Sequence, residues 1–454
     1  MPAPLPRRTA LKAAAAFTAS LSLGLHRARA AGTELADAAQ AVHDEIWRRF
    51  IDEYGILVDY TDLDGTFPRA TADECREGKP NALGWWTPTE NGSMFNGMYL
   101  DAAVHRWKLS RTEADKDKAR KLMNGLLLLS SLGPPGFIAR NVATDGKTPY
   151  PMGSNDQTAP WFYGLWRYIH EGLATREERD RIIDKMVEVA NVLAANRWLM
   201  PCNTGAPSPF RGGFGGFAWE FAPRLLFVLK ALHDLTRSAR WADLYQKAVE
   251  ERGAPPVHAT PPGAPAATPS AAPPPISRLE ICQKGMEFQS RWRHSWTCAS
   301  GIICLRGLWE METNPTYLRA YAQGLAASLQ LAAESLPIAK QFDNNTTAAC
   351  LLDWRILNTW WQPQHSELEA VTVAERQAKE LGRLSPRRGP EFNQVRESLF
   401  AAWIVTMCPD RSLVEPHRPA ILEAIQHFDY KRLYYSQFFP AEAAAYRLQL
   451  MERA

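Results

Sequence analysis

No two of the seven cysteines form a Cys-x-x-Cys pair, so the sequence gives little support for a zinc site or a nucleophilic thiol. Their odd number leaves at least one thiol unpaired. Also missing are His-Glu-x-x-His, Gly-x-Ser-x-Gly, a calcium-binding EF-hand loop and a dinucleotide fingerprint. Their absence sets aside metalloprotease, serine esterase and Rossmann oxidoreductase. The glycine-rich run "RGGFGG" (211–216) lacks the Lys-Ser/Thr of a phosphate-binding loop, which disfavours nucleotides. Neither sign of charge dominates: 52 Lys and Arg face 49 Asp and Glu, for a net charge of +3. The best basic run, Pro386-Arg387-Arg388, is too short for a nucleic-acid stripe. Beyond the N-terminus, no stretch reaches the ~20 uncharged apolar residues of a membrane span. Strand-like alternation is rare, with "GILVDY" (55–60) and "GIICL" (301–305) as the two strand candidates.

At the N-terminus, twin arginines (Arg7, Arg8) precede an apolar run and then Ala28-Arg29-Ala30. The order reads as a twin-arginine export signal over residues 1–30, cleaved after Ala30. It implies a bacterial translocase as transient partner, a periplasmic or secreted mature protein, and no membrane association after cleavage. A chain that folds before export needs no disulfides.

Helical periodicity dominates the rest. "ELADAAQAVHDEIWRRFIDEYG", "KDKARKLMNGLLLLSSLG", "TREERDRIIDKMVEVANVLAANRW" and "NPTYLRAYAQGLAASLQLAAESL" space apolar residues by three or four, the second ending at Gly133 before Pro134. About twelve such segments, joined pairwise by short turns, predict an all-α (α/α)6-type toroid, a closed ring of helical hairpins. No motif recurs at the fixed period a superhelical array would need. Residues 253–276, almost pure Pro, Ala, Gly and Thr, read as a disordered insertion within one catalytic domain spanning 31–454.

Four loops mix Gly and large aromatics with one or two ionisable groups and run into helices: 81–99, 136–162, 201–221 and 290–301. A carbohydrate cleft requires that mixture, because aromatic faces stack on sugar C–H faces while amides, Arg and carboxylates read hydroxyls. Asp156, ahead of a helix expected near Pro160, is the general-acid candidate. Among the neighbouring rings it would lose hydration, which raises a carboxyl's pKa. An N-cap role for Asp156 or Ser154 is equally open. Glu90, preceded by Trp85 and Trp86, is the candidate partner base or nucleophile of the carboxylate pair that glycoside hydrolysis usually uses.

Candidate sugar contacts are Asn155, Gln157, Tyr163, Trp166, His294, Trp296 and Arg140, the last as a clamp for a uronate carboxylate. Trp161 and Leu165 share one helix face and read as core, leaving Tyr163 and Trp166 as platforms. Asp145-Gly146 reads as a turn, and Glu220 follows a possible lid. No cofactor and no metal ligand set is expected.

With "GWWTPTENGSMFNGMYLDA" and "GSNDQTAPWFYGLWRY" as loop-to-helix junctions, the helical-pair rhythm over most of 35–450 resembles the six-hairpin glycosidase-like superfamily. This superfamily includes unsaturated glucuronyl hydrolases and some polysaccharide lyases. The resemblance implies a toroid enzyme acting on an oligo- or polysaccharide, with Asp156 matching the inner-ring Asp that serves those hydrolases as acid/base. Three readings stay open: a glycoside hydrolase on a uronate-containing glycan, a lyase using β-elimination with His294 or a Tyr as base, and a non-catalytic glycan-binding protein. Sugar isomerase or epimerase activity is a minor fourth.

Overall fold

The computed structural model describes residues 34–256, 274–288 and 295–453. The twin-arginine segment, the middle of the Pro/Ala-rich insertion and His294 lie outside the described residues. The helices are α1 (34–49), α2 (Ala72–Glu77), α3 (Gly92–Ser110), α4 (Glu113–Leu129), α5 (Asn155–His170), α6 (Arg176–Ala195), α7 (Ala222–Thr236), α8 (Ala239–Glu250) and α9 (Arg278–Lys284). They continue with α10 (Ser295–Met311), α11 (Pro315–Ala333), α12 (Glu367–Leu384), α13 (Arg388–Pro390), α14 (Glu397–Thr406), α15 (Arg411–Val414), α16 (Arg418–Gln426) and α17 (Pro440–Arg453). Residues Glu391–Arg396, between α13 and α14, form a π-helical turn.

The molecule is an all-α (α/α)6 toroid. Its inner ring is α3, α5, α7, α10, α14 and α17, each packed on the next, with α17 closing back onto α3. The inner helices are buried along most of their length; in α3 every residue from Gly92 to His105 is buried. The outer helices α4, α6, α8 and α11 each follow an inner partner, α16 follows α14, and α1 closes the ring outside α17. His43 on α1 meets Glu442 on α17 at 2.7 Å. Ring members come from both sides of the Pro/Ala-rich segment. Arg252–Gly253 pairs antiparallel with Ile276–Ser277, so the chain leaves and returns at one place.

Local sequence sets the hairpins. Between α3 and α4, and again between α7 and α8, the first helix ends on an arginine in the left-handed region, Arg111 (φ 57°) and Arg237 (φ 58°). Thr112 then caps α4 by accepting from the Asp115 N–H. Thr175 and Glu178 form the capping box that opens α6. The α4 helix stops at Leu129, one turn short of the expected Gly133. Gly133 sits instead against the Phe137 ring, in the turns that follow the helix.

Three other expectations are corrected. "GIICL" lies inside α10; a helix buried all round carries no apolar stripe, so a short window of it mimics a buried strand. "GILVDY" forms single bridges, Ile51 to Leu57 and Tyr60 to Tyr435, rather than a strand. Helix α5 starts at Asn155 rather than near Pro160, because Ser154 caps it by accepting from the Asp156 N–H at 3.2 Å. Pro160 then costs only the one backbone bond to the Asp156 carbonyl.

Helices α3 and α5 touch main chain to main chain. A Cβ at Gly97 would collide with the Pro160 carbonyl, and one at Gly164 would sit 2.8 Å from the Gly97 oxygen. Asp156 lies in the first turn of α5, and Glu90 stands two residues ahead of α3.

Candidate active site

One end of the ring holds a cavity of about 480 Å³. Every inner helix contributes to it from its N-terminal side: Glu90 and Asn91 ahead of α3, Asp156 on α5, Arg224 on α7, Trp296 on α10, Phe392 and Arg396 ahead of α14, and Tyr435 and Gln437 ahead of α17. Helix N-termini present free N–H groups and the positive end of the helix dipole. Four arginines (Arg140, Arg224, Arg388, Arg396) line the cavity with three acids (Asp59, Glu90, Asp156).

The two candidate acids share this cavity. Asp156 is about half exposed (51% for its side chain) and lies 3.1 Å from the Arg224 guanidinium. The expected loss of hydration around Asp156 is therefore not met: the rings of α5 pack beneath it, not around it. Arg224 is buried, and its Nε donates to the Ser300 hydroxyl at 3.0 Å.

Glu90 is half-buried, and its Oε2 accepts from the Trp86 N–H at 2.8 Å. Trp86 has a left-handed backbone (φ 72°), a strained conformation for a bulky residue. Its ring N–H holds the Ala374 carbonyl at 2.9 Å, so both ends of this tryptophan are fixed. Arg140 donates through Nη1 to the Glu90 carbonyl at 3.1 Å. A Cβ at Gly92 would collide with the Arg140 carbonyl, which accounts for glycine two residues after Glu90.

Asp59, which ends the "GILVDY" run, was not anticipated. It is buried and accepts from the Asn91 backbone N–H (2.8 Å) and the Asn91 side chain (2.7 Å). Burial first, and the neighbouring Glu90 charge second, push its carboxyl well above the usual range. Two carboxylates that share a desolvated site cannot both ionise cheaply, which is the physical cause of the raised Asp59 carboxyl. Burial and the charge of Arg211 lower Arg140 to about 10.

The remaining candidates divide. Trp296 lines the cavity. Gln157 is buried and ties α3 and α5 together. Its Oε1 accepts from the Met94 N–H at 2.9 Å, and its Nε2 reaches Asn91 Oδ1 at 3.4 Å. Asn155 lies off the cavity, against the backbone of Gly212.

Tyr163 and Trp166 are not platforms; both are fully buried in the core. The Tyr163 hydroxyl donates to Asp101 at 2.6 Å, and Trp166 stacks on His170 at 4.5 Å. Asp101 also accepts from Arg447 at 2.8 Å. Burial would raise the Asp101 carboxyl, but Arg447 and His105 outweigh it and hold it well below the usual range. Asp145 makes the expected turn, accepting from the Lys147 and Thr148 N–H groups.

His170, Glu171 and Glu310 bring their ligand atoms within 4.8 Å of one another. Their carboxylates are already engaged by Arg167 (3.0 and 2.6 Å), Lys108 (2.6 Å) and Arg306 (2.7 Å).

No protein-family model matches the sequence, and no curated protein matches it. Among solved structures, the chain is similar to the crystal structure of a family 76 glycoside hydrolase from a bovine Bacteroides thetaiotaomicron strain. The identity is 11%, over 93% of this chain and 78% of that one, with a TM-score of 0.41. The toroid assignment stands on the helix packing described above.

Proposed function

We propose that the protein is an exported glycoside hydrolase acting on an oligo- or polysaccharide that contains an acidic sugar. The observation that carries this reading is that Glu90 and Asp156, each at the N-terminal end of one of two adjoining inner helices, line one cavity with Trp85, Trp86 and Trp296. Paired carboxylates and aromatic faces are what glycosidic cleavage uses.

The geometry favours a division of labour opposite to the one expected from sequence. Glu90, half-buried on the cavity wall beside Asp59, is placed to protonate the leaving oxygen. Asp156, paired with Arg224 and open to solvent, is placed to attack the anomeric carbon or to take a proton from water. The arginines and the converging helix N-termini favour an anionic sugar. Elimination is less well supported. Tyr60 and Tyr435 line the cavity, but burial pushes both hydroxyls well up, so neither ionises readily to serve as the base.

The test is release of reducing ends from acidic oligosaccharides by wild type, Glu90→Gln and Asp156→Asn. Each variant is expected to lose about 10²–10⁴-fold in kcat while retaining the wild-type unfolding midpoint. Turnover surviving in both variants, or an unsaturated product with new ultraviolet absorbance, sinks the proposal. Calorimetric binding without any product would point to a glycan-binding protein instead.

A further inference from the structure

One wall of the cavity is a ladder of alternating rings and guanidinium groups. Arg388 lies over the Trp86 ring at 5.0 Å and over the Phe392 ring at 4.0 Å. Arg396 lies over Phe392 at 4.1 Å and over Trp296 at 4.0 Å. Arg388, Phe392 and Arg396 are spaced by four residues. The π-helical turn Glu391–Arg396 contains the last two, and such turns widen a helix locally and cluster at functional sites.

Arg396 is 8% exposed, yet it has no hydrogen bond or ion pair among the described residues, and its Nε is buried without a partner. Burial first, and the charge of Arg388 second, lower it to about 9, so it stays charged at neutral pH. A buried, unpaired charge is costly. Stacking covers guanidinium faces and leaves the N–H edge for an acceptor in the plane, the geometry that takes a carboxylate two-pronged. Arg388, half-buried, likewise has no anionic partner among the described residues. The carboxylates of Asp59, Glu90 and Asp156 are engaged elsewhere, by Asn91, Trp86 and Arg224.

We propose that Arg388 and Arg396 form an anion subsite that holds the carboxylate, or an equivalent sulfate, of a sugar unit bound against Trp296 and Trp86. Arg140 and Arg224, which line the same cavity, are already engaged by the Glu90 carbonyl and by Asp156, so Arg388 and Arg396 are the cavity arginines left for a ligand anion. The inference depends on the glycosidase reading only for the ligand being a sugar.

Binding separates the two. Tryptophan fluorescence is titrated with a mixture of acidic oligosaccharides from uronate-rich polysaccharides, and with the same mixture after chemical reduction of its carboxyls to alcohols. Sulfated oligosaccharides form a third arm that distinguishes sulfate from carboxylate. Wild type is expected to bind an acidic mixture at least about tenfold more tightly than the reduced one. Arg396→Gln and, independently, Arg388→Gln are expected to lose that preference. The Arg396→Gln protein should unfold at a midpoint no lower than wild type, since it sheds an unpaired buried charge. Equal binding of acidic and reduced mixtures, an undiminished preference in both variants, or no binding of any mixture overturns the proposal. Hydrolysis is read separately: wild type that cleaves but shows no preference for the acidic mixture refutes the subsite alone, and an acidic preference without cleavage refutes the hydrolase alone.

Discussion

Asn91 holds both oxygens of Asp59, its backbone N–H at 2.8 Å from one and its side-chain amide at 2.7 Å from the other. The residue before it is Glu90, so these two bonds hold the candidate acid next to a carboxyl that resists ionising. Asp59 ionises less readily in the folded chain than in the unfolded one. Its stabilising contribution is therefore complete below its unfolded pKa and is lost as pH rises through its folded value.

Asp59→Asn removes that dependence. Urea unfolding of both proteins from pH 4 upward should show the variant gaining on wild type, by up to about 1.4 kcal/mol per pH unit, until Asp59 has ionised in the fold. A stability difference that stays flat over this range would contradict the raised carboxyl.

Tyr163 and Trp166 serve packing, and their variants should report stability alone. Tyr163→Phe leaves Asp101 one donor short and is expected to cost about 1–3 kcal/mol. Trp166→Ala opens a large cavity and is expected to cost about 3–5 kcal/mol. In each case KM on any substrate found should remain within about twofold of wild type, as uniform binding is untouched. A large rise in KM with unaltered stability would return these rings to the sugar.

Gly97→Ala tests the backbone contact between α3 and α5. The new methyl has no space, since it meets the Pro160 carbonyl rather than a movable side chain. Overpacking should cost about 1–3 kcal/mol or more, read as a lowered thermal midpoint, with kcat reduced more than KM. An unchanged midpoint would show that the helices part freely.

Much of the architecture was legible because hairpin rhythm is local: caps such as Thr112 and Thr175 and the amphipathic outer helices can be read directly. The inner helices were harder. On α5 the reading assumed that one face is core and the rest is free, which sent Tyr163 and Trp166 to the cleft. A helix enclosed on all sides has no free face along its length, and only its first turn reaches the cavity.

Glu90 and Asp156 were visible because each sits at a polar, aromatic-rich junction. Asp59 was hidden as the lone acid closing an apolar run. Arg388, Phe392 and Arg396 carry a sequence signal, cation, ring and cation at four-residue spacing, of which the basic run Pro386-Arg387-Arg388 covers only the first residue. Arg224 gave no local sign, since its meaning comes from ring closure beside Asp156.

The glycine contact between α3 and α5 has a consequence for how the proposed hydrolase could change. Where main chain abuts main chain, no side chain can be swapped to widen or narrow the gap, so the two helices keep a constant spacing through most substitutions. Only the reach of the acids themselves remains adjustable. Exchanging Asp156 for Glu, or Glu90 for Asp, would shift a carboxyl by one methylene, the smallest step by which this lineage could move between attacking a sugar directly and admitting a water.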